Sequence, residues 1–179
     1  MPSAGYAAMF EAMLRHPSIS LELNKEYVKG RDDVGFDHVV YTGPIDAYFD
    51  FKLGKLPYRS LRFEHVHYSD KSAFQAHATV NYPSEEEFTR ITEFKYLTGQ
   101  DCSGTSIVKE YPVADGDPYY PIPMQKNQEL FSKYEAMADG LSGSVTFVGR
   151  LAQYRYYNMD QVVAAAMVKS DGLLEKLGV

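Results

Sequence analysis

The stretch Phe147–Val163, FVGRLAQYRYYNMDQVV, decides the fold. It opens as a strand running into Gly149-Arg150, crosses a loop holding Tyr154, Tyr156 and Tyr157, and enters a helix at Met159. A strand that delivers Gly-Arg to a turn ahead of a helix exposes backbone N–H groups and a guanidinium together, which suits a pyrophosphate. Arg150 can equally be a surface or ion-pair arginine, because short motifs recur by chance.

Upstream of that stretch, Ser144–Phe147 reads as its strand, and Asn127–Ala138 as an amphipathic helix with Leu130, Phe131, Tyr134 and Met137 on one side. Ahead of the helix, DGDPYYPIP (Asp115–Pro123) is a proline-rich extended loop that a helix cannot enter. From Leu56 to Pro112 the runs YRSLRFEHVHY, AFQAHATVNY, FTRITEFKYL and TSIVKEYP are rich in Thr, Val, Tyr and Phe, and predict an antiparallel meander of about four strands. Nearer the N-terminus, AAMFEAMLRH is helical in period and stops before Pro17, SISLEL (Ser18–Leu23) alternates like a half-buried strand, and KGRDDVG is a charged loop. DHVVYT (Asp37–Thr42) is a short buried strand, and Ile45–Phe51 a helical turn after Pro44. A last helix carries Val162, Val163, Ala166 and Met167. The fold class is therefore mixed α/β (α+β): an antiparallel sheet of about four or more strands, inserted between pieces of an incomplete parallel α/β layer.

Composition narrows the function. A chain of 179 residues, 45% hydrophobic and 23% charged, is an ordinary globular protein with room for one sizeable core. A net charge of -6 offers no basic footprint, so nucleic acid is not its partner, and an anionic ligand must be held by a few local arginines. Cys102 is the sole cysteine, which excludes an intrachain disulfide and reads as a loop or core thiol. The first ten residues lack a signal-peptide pattern and no apolar run is long enough to span a membrane, which predicts a cytoplasmic chain.

His65 and His67 point to one face of a strand, but a metal needs further ligands and His77 and Glu64 have no recognisable spacing, so no metal is expected. His38 and His16 are ordinary by the same reasoning, and Glu85-Glu86-Glu87 reads as a solvated turn. No nucleophile elbow, zinc-protease helix, Walker loop or G-x-G-x-x-G is present. Without the last, the chain alone cannot build a standard dinucleotide cradle. Above this background stand Arg90, Tyr119-Tyr120, Tyr156, Asn158 and Asn81. They supply one strong cation with hydroxyl and amide donors, the inventory for gripping a diphosphate, although loop tyrosines also simply pack.

Read in order, YTGPIDAYFDFKLGKLPYRSLRF, NY followed by FTRITEFKYL, IVKEYP, DPYYPIP and VGRLAQYRYYNMDQVV resemble the bacterial UDP-galactopyranose mutase family, in its C-terminal half, from Pro2 to about Met167. The resemblance implies an isomerase that interconverts UDP-galactopyranose and UDP-galactofuranose through a reduced-flavin N5–sugar adduct, a cytoplasmic step in surface-polysaccharide synthesis. On it, residues 1–55 are part of the FAD domain with a helical element, 56–125 the substrate-side antiparallel sheet, and 126–179 the return to the FAD-binding layer. Arg90 matches a diphosphate arginine, Tyr120 and Tyr156 phosphate-contacting tyrosines, and Asn81 and Glu110 positions lining the sugar and flavin. Thr42, Gly43, Gly149, Arg150, Tyr157 and Met159 fall on the cofactor side. Asn158 stands where several relatives carry Asp, so a charge-dependent role there is in doubt. The partners implied are UDP-galactose, FAD, a separate N-terminal FAD-binding half and, as an option, a second copy of the chain. The 179 residues alone are expected to bind FAD weakly and to be inactive. A non-catalytic nucleotide-sugar-binding or structural interaction module is the other reading.

Overall fold

The structure is a computed structural model that describes residue 2 and residues 4–83 and 85–178. The chain divides into two compact units, Met1–Glu26 with Leu61–Val113, and Tyr27–Ser60 with Ala114–Val179. The fold is mixed α/β, with a five-stranded sheet and a separate two-stranded one.

In the first unit, helix α1 (Gly5–Leu14) is followed by irregular chain, and the sheet is built from β2 (Tyr58–Tyr68), β3 (Thr79–Asn81), β4 (Arg90–Glu93) and β5 (Thr105–Val113). Strands β3, β4 and β5 run antiparallel to their neighbours, and β2 lies on the far side of β5 rather than beside β3. Tyr58–Ser60, the first three residues of β2, belong to the second unit. Four strands are thus present where the sequence predicts them, but β3 is only three residues long. The reason is Glu93. Its fully buried carboxylate accepts the N–H groups of Phe74 (3.0 Å) and Gln75 (2.9 Å) and the Thr105 hydroxyl. Those N–H groups cannot then pair in a ladder. Burial alone would raise the Glu93 carboxyl, but these three donors outweigh it and hold the group below its ordinary value. Lys95 completes the packing of this irregular chain, donating to the carbonyls of Ser72, Cys102 and Gly104 at 2.6, 2.9 and 3.1 Å.

Two further expectations are corrected here. Phe94–Thr98 is a short helix, α3, closed by Gly99 at φ +67°. Ser18–Leu23 is not a strand; Leu23 is 74% exposed, and an alternating pattern without a ladder partner has nothing to bury itself against.

In the second unit, β1 (Val39–Tyr41) and β7 (Val145–Phe147) form a parallel pair, with Tyr41 opposite Phe147. Helices α2 (Ile45–Tyr48), α4 (Gln125–Asp139) and α5 (Met159–Leu177) accompany them. Ile45, Tyr48, Phe49, Leu56, Tyr134, Val145 and Tyr154 form the core, with Leu130, Phe131, Met137 and Phe147 packed against it, so the predicted apolar face of α4 is the buried one. Tyr134 is wholly buried and its hydroxyl is satisfied, donating to the Gly54 carbonyl at 2.7 Å and accepting the Leu53 N–H at 3.0 Å. The proline-rich loop contains a strand that the sequence hides. This is β6 (Tyr120–Pro121), antiparallel to the start of β2, with Arg59 opposite Tyr120. Proline, which donates no N–H, fits because β6 is at the sheet edge. No helix among the described residues is long and apolar enough to cross a membrane.

Candidate functional site

In the first unit, strand register brings three predicted residues into one row. Asn81 on β3 is opposite Arg90 on β4, which is opposite Glu110 on β5. Directly opposed residues share a sheet face, so the three side chains meet. Arg90 donates from Nε to Asn81 Oδ1 at 2.9 Å, and its Nη1 stands 3.7 Å from Glu110 Oε2. The carboxylate is within ion-pair range but beyond a hydrogen bond, and the Arg90 side chain is 41% exposed. The row thus presents an oriented cation whose charge is only loosely balanced. On the opposite face of β4, Ile91 and Glu93 are buried and anchor the strand.

In the second unit, Tyr120, Tyr156 and Tyr157 gather around Arg150, whereas Asn158 and Met159 lie at the start of α5. Parallel pairing of β1 and β7 sends Thr42-Gly43 and Val148-Gly149 out from the same, C-terminal, ends of two adjacent strands. Ligands of open α/β sheets sit at such ends. Gly149 has φ +102°, which L side chains avoid, and a Cβ built there would meet only Thr42, at 4.0 Å. Gly43 is confined differently: a Cβ there would come within 2.6 Å of the Tyr41 hydroxyl. The ring of Tyr41 is wedged against Tyr27, Tyr48 and Phe147, so it cannot easily give way.

Arg150 donates from Nη2 to the Tyr157 carbonyl at 2.6 Å and from Nη1 to the Tyr119 carbonyl at 3.5 Å. Its guanidinium lies 4.9 Å from the Tyr156 ring centre and 5.6 Å from that of Tyr120. Those two rings stack on each other at 5.9 Å and 26°. Ring faces and carbonyls hold the cation without cancelling it, and no carboxylate among the described residues pairs with it. Arg150, Tyr120, Tyr156, Tyr157 and Gly149 therefore form one cluster, with Thr42 beside it.

The turn differs from the open anion cradle anticipated from Gly-Arg. The Gly149 N–H is already engaged, donating to Gln153 Oε1 at 3.1 Å. As the sequence indicates, a loop separates the turn from α5, which begins at Met159. Asn158 caps α5 in a reciprocal box with Gln161, whose side chain accepts the Asn158 N–H at 2.9 Å. Asn caps as well as Asp, so the neutral residue keeps that structural role. Met159 begins α5 and is 61% exposed.

Gln153 is the residue that sequence reasoning passes over. The signal was its position four residues after Gly149, one helical turn on, where an acceptor can reach back. Beneath the loop, Tyr154 is buried at φ +43°, donating to the Pro57 carbonyl and accepting the Ile122 N–H at 3.2 Å. Burial raises the pKa of this phenol, which stays a neutral donor.

Elsewhere, three histidines and the cysteine have structural partners. His38 shares a hydrogen bond with Thr146 at 2.8 Å, His67 with Ser106 at 2.9 Å, and His65 stacks on Phe94. Cys102 is exposed and its thiol donates to the Gly104 carbonyl. Among the described residues no group of three or more His, Cys, Asp or Glu could hold a metal ion.

Known proteins are similar to this chain over nearly its whole length. A chain from Klebsiella pneumoniae described as a probable UDP-galactopyranose mutase is 39% identical over 183 residues, covering 99% of this chain and 46% of its own length. A UDP-galactopyranose mutase of Mycoplasma pneumoniae is 35% identical, with 98% and 48% covered. The dTDP-fucopyranose mutase of Escherichia coli is 33% identical, with 93% and 46% covered. The chain spans a little under half the length of these relatives. A family model described as UDP-galactopyranose mutase matches residues 1–156, and with most of its length so matched the chain belongs to the UDP-galactopyranose mutase family.

Proposed function

We propose that this chain carries substrate-side and cofactor-side residues of an enzyme that interconverts the pyranose and furanose rings of UDP-galactose with reduced FAD. One observation carries the reading. Arg150 is fixed by two carbonyls and two tyrosine faces while keeping its full charge, which is how a protein prepares a cation for an anionic ligand.

The cofactor-side residues fit one flank of a dinucleotide. The ends of β1 and β7 bring Thr42, Gly43 and Gly149 together, and Gly149 leaves open space where a side chain would intrude. When bound, reduced flavin supplies the nucleophile for opening and reclosing the sugar ring, with no net redox change. The chain's own residues do the rest. In this reading Arg90, aimed by Asn81, takes up negative charge on the diphosphate as it departs, and Glu110 steadies the guanidinium without quenching it. In the second unit, taken by itself, the hydroxyls of Tyr120 and Tyr156 are donors suited to the phosphoryl oxygens of an anionic ligand, and Asn158 adds an amide donor. Tyr157 and Met159 border the cofactor, and a further segment completes its cradle.

The test is direct. Purified chain should be colourless, and inactive with dithionite and UDP-galactofuranose. UDP should bind saturably, and Arg90→Ala should weaken it by about tenfold or more, the loss of one charge-assisted hydrogen bond. Yellow, FAD-loaded and active protein overturns the reading that these residues form only one flank of the cofactor site, and equal UDP affinity in Arg90→Ala overturns the assignment of Arg90.

A further inference from the structure

Gln153 is half-buried, and its amide oxygen is shared by two donors of the cluster. It accepts the Gly149 N–H at 3.1 Å and the Tyr157 hydroxyl at 3.3 Å. Its own N–H returns to the Gly149 carbonyl at 3.0 Å, so Gly149 and Gln153 are joined in both directions. Arg150 closes the ring of contacts from the other side, through Nη2 to the Tyr157 carbonyl at 2.6 Å and through its carbonyl to the Arg155 N–H at 3.1 Å. The residue that carries the charge is thus flanked on both sides by residues that Gln153 grips.

Gly149 makes this grip necessary. At φ +102° it is the least constrained type of residue in an uncommon conformation, with open space on its Cα apart from Thr42. Nothing in its own side chain holds the turn, so the turn depends on its hydrogen bonds. Gln153 Oε1 also occupies the backbone donor that a glycine turn would otherwise offer an anion. Any phosphoryl group held here is therefore left to the guanidinium edge and the tyrosine hydroxyls.

We propose that Gln153 is a positioning residue for this anion site: it closes the Gly149–Arg150 turn from within and sets the direction in which Arg150 presents its donors. The inference rests on the anion-binding reading given above for Arg150. Gln153 itself touches no ligand and acts through Gly149 and Tyr157.

The test uses the full chain labelled with ¹⁵N, with inorganic pyrophosphate as the probe. Without ligand, Gln153→Leu should raise the exchange rate of the Gly149 amide about tenfold, and Gln153→Glu, which keeps an acceptor oxygen, should restore protection. With pyrophosphate, wild type should show a saturable shift of the Arg150 Nε resonance, and Gln153→Leu should weaken that titration about threefold to tenfold. Unchanged Gly149 exchange in Gln153→Leu overturns the role of Gln153. A wild-type Arg150 resonance that pyrophosphate leaves unmoved overturns instead the anion reading on which it rests. Should Gln153→Leu not fold, Tyr157→Phe removes one of the two donors, and a Gly149 exchange rate and Arg150 titration both identical to wild type count against the positioning role.

Discussion

Arg90 Nε is bonded to Asn81 Oδ1 at 2.9 Å, between residues that face each other in adjacent strands. The bond fixes a long side chain before any ligand arrives, so less freedom is lost on binding. Asn81→Ala should therefore weaken UDP binding about threefold to tenfold with little change in thermal midpoint, as one ordinary hydrogen bond to a charged group allows. Arg90→Lys should not recover wild-type affinity, because an ammonium cannot hold Asn81 and reach a diphosphate with a planar fork. Calorimetric titration of the three proteins with UDP checks both statements.

Tyr154→Phe removes one hydroxyl from beneath the Arg150 loop and leaves the Ile122 N–H without that acceptor. A buried polar group that loses its partner costs about 1–3 kcal/mol, so the variant should unfold at clearly lower denaturant concentration with an unchanged slope. Its ring still packs edge-on to Tyr58 at 5.1 Å, so the protein should fold.

Two buried carboxyls should give opposite pH signatures. Glu93 has a folded pKa below its reference value of 4.5, so it stabilises the fold above that pH and the benefit is lost as pH falls through the depressed value. Asp46 is raised above 3.8 by burial, which outweighs the backbone hydrogen bonds to its carboxylate, among them the Leu56 N–H on Oδ2 at 2.8 Å. It binds a proton more readily folded than unfolded, so its contribution is fully present below 3.8 and declines as pH rises through the raised value. Thermal melts from acid to neutral pH should show the advantage of wild type over Glu93→Gln shrinking toward acid. The stability of Asp46→Asn relative to wild type should instead improve as pH rises.

Asn158→Ala should fray the first turn of α5 at a cost of about 1 kcal/mol, and Asn158→Asp should not. Faster amide exchange confined to the first turn of α5, in the alanine variant alone, is the expected result.

Elements marked by their own periodicity or apolar run were legible, and those settled by register, by a captured N–H or by turn geometry were not. α4 could be read because Leu130, Phe131, Tyr134 and Met137 recur at helical spacing and the core takes that face. The parallel layer was legible from two short apolar strands far apart in the chain, which pair as Val39 opposite Val145. Ala73–Ala78 looked like strand, but a carboxylate about twenty positions later captures its N–H groups. Phe94–Thr98 has the aromatic content of a strand, and only Gly99 marks it as a helix that ends. β6 was hidden by Pro121, whose missing N–H argues against a strand everywhere except an edge. At the site, the row of Asn81, Arg90 and Glu110 needed register, which residue type does not supply. The engagement of Gly149 by Gln153 needed the turn's geometry.

Tyr154 grips Pro57 across 97 positions, and Tyr134 grips Gly54 across 80. During translation the segment around α2 therefore leaves the ribosome long before its partners exist, a wait of about 5–20 s at ordinary elongation rates. Throughout it Ile45, Tyr48, Phe49 and Leu56 have no cover from α4 or from Tyr154, and closing so long a loop is slow once synthesis catches up. The yield of native protein in a cell should accordingly respond to holdase chaperones and to translation speed between codons 60 and 154 more than to the stability of the finished fold.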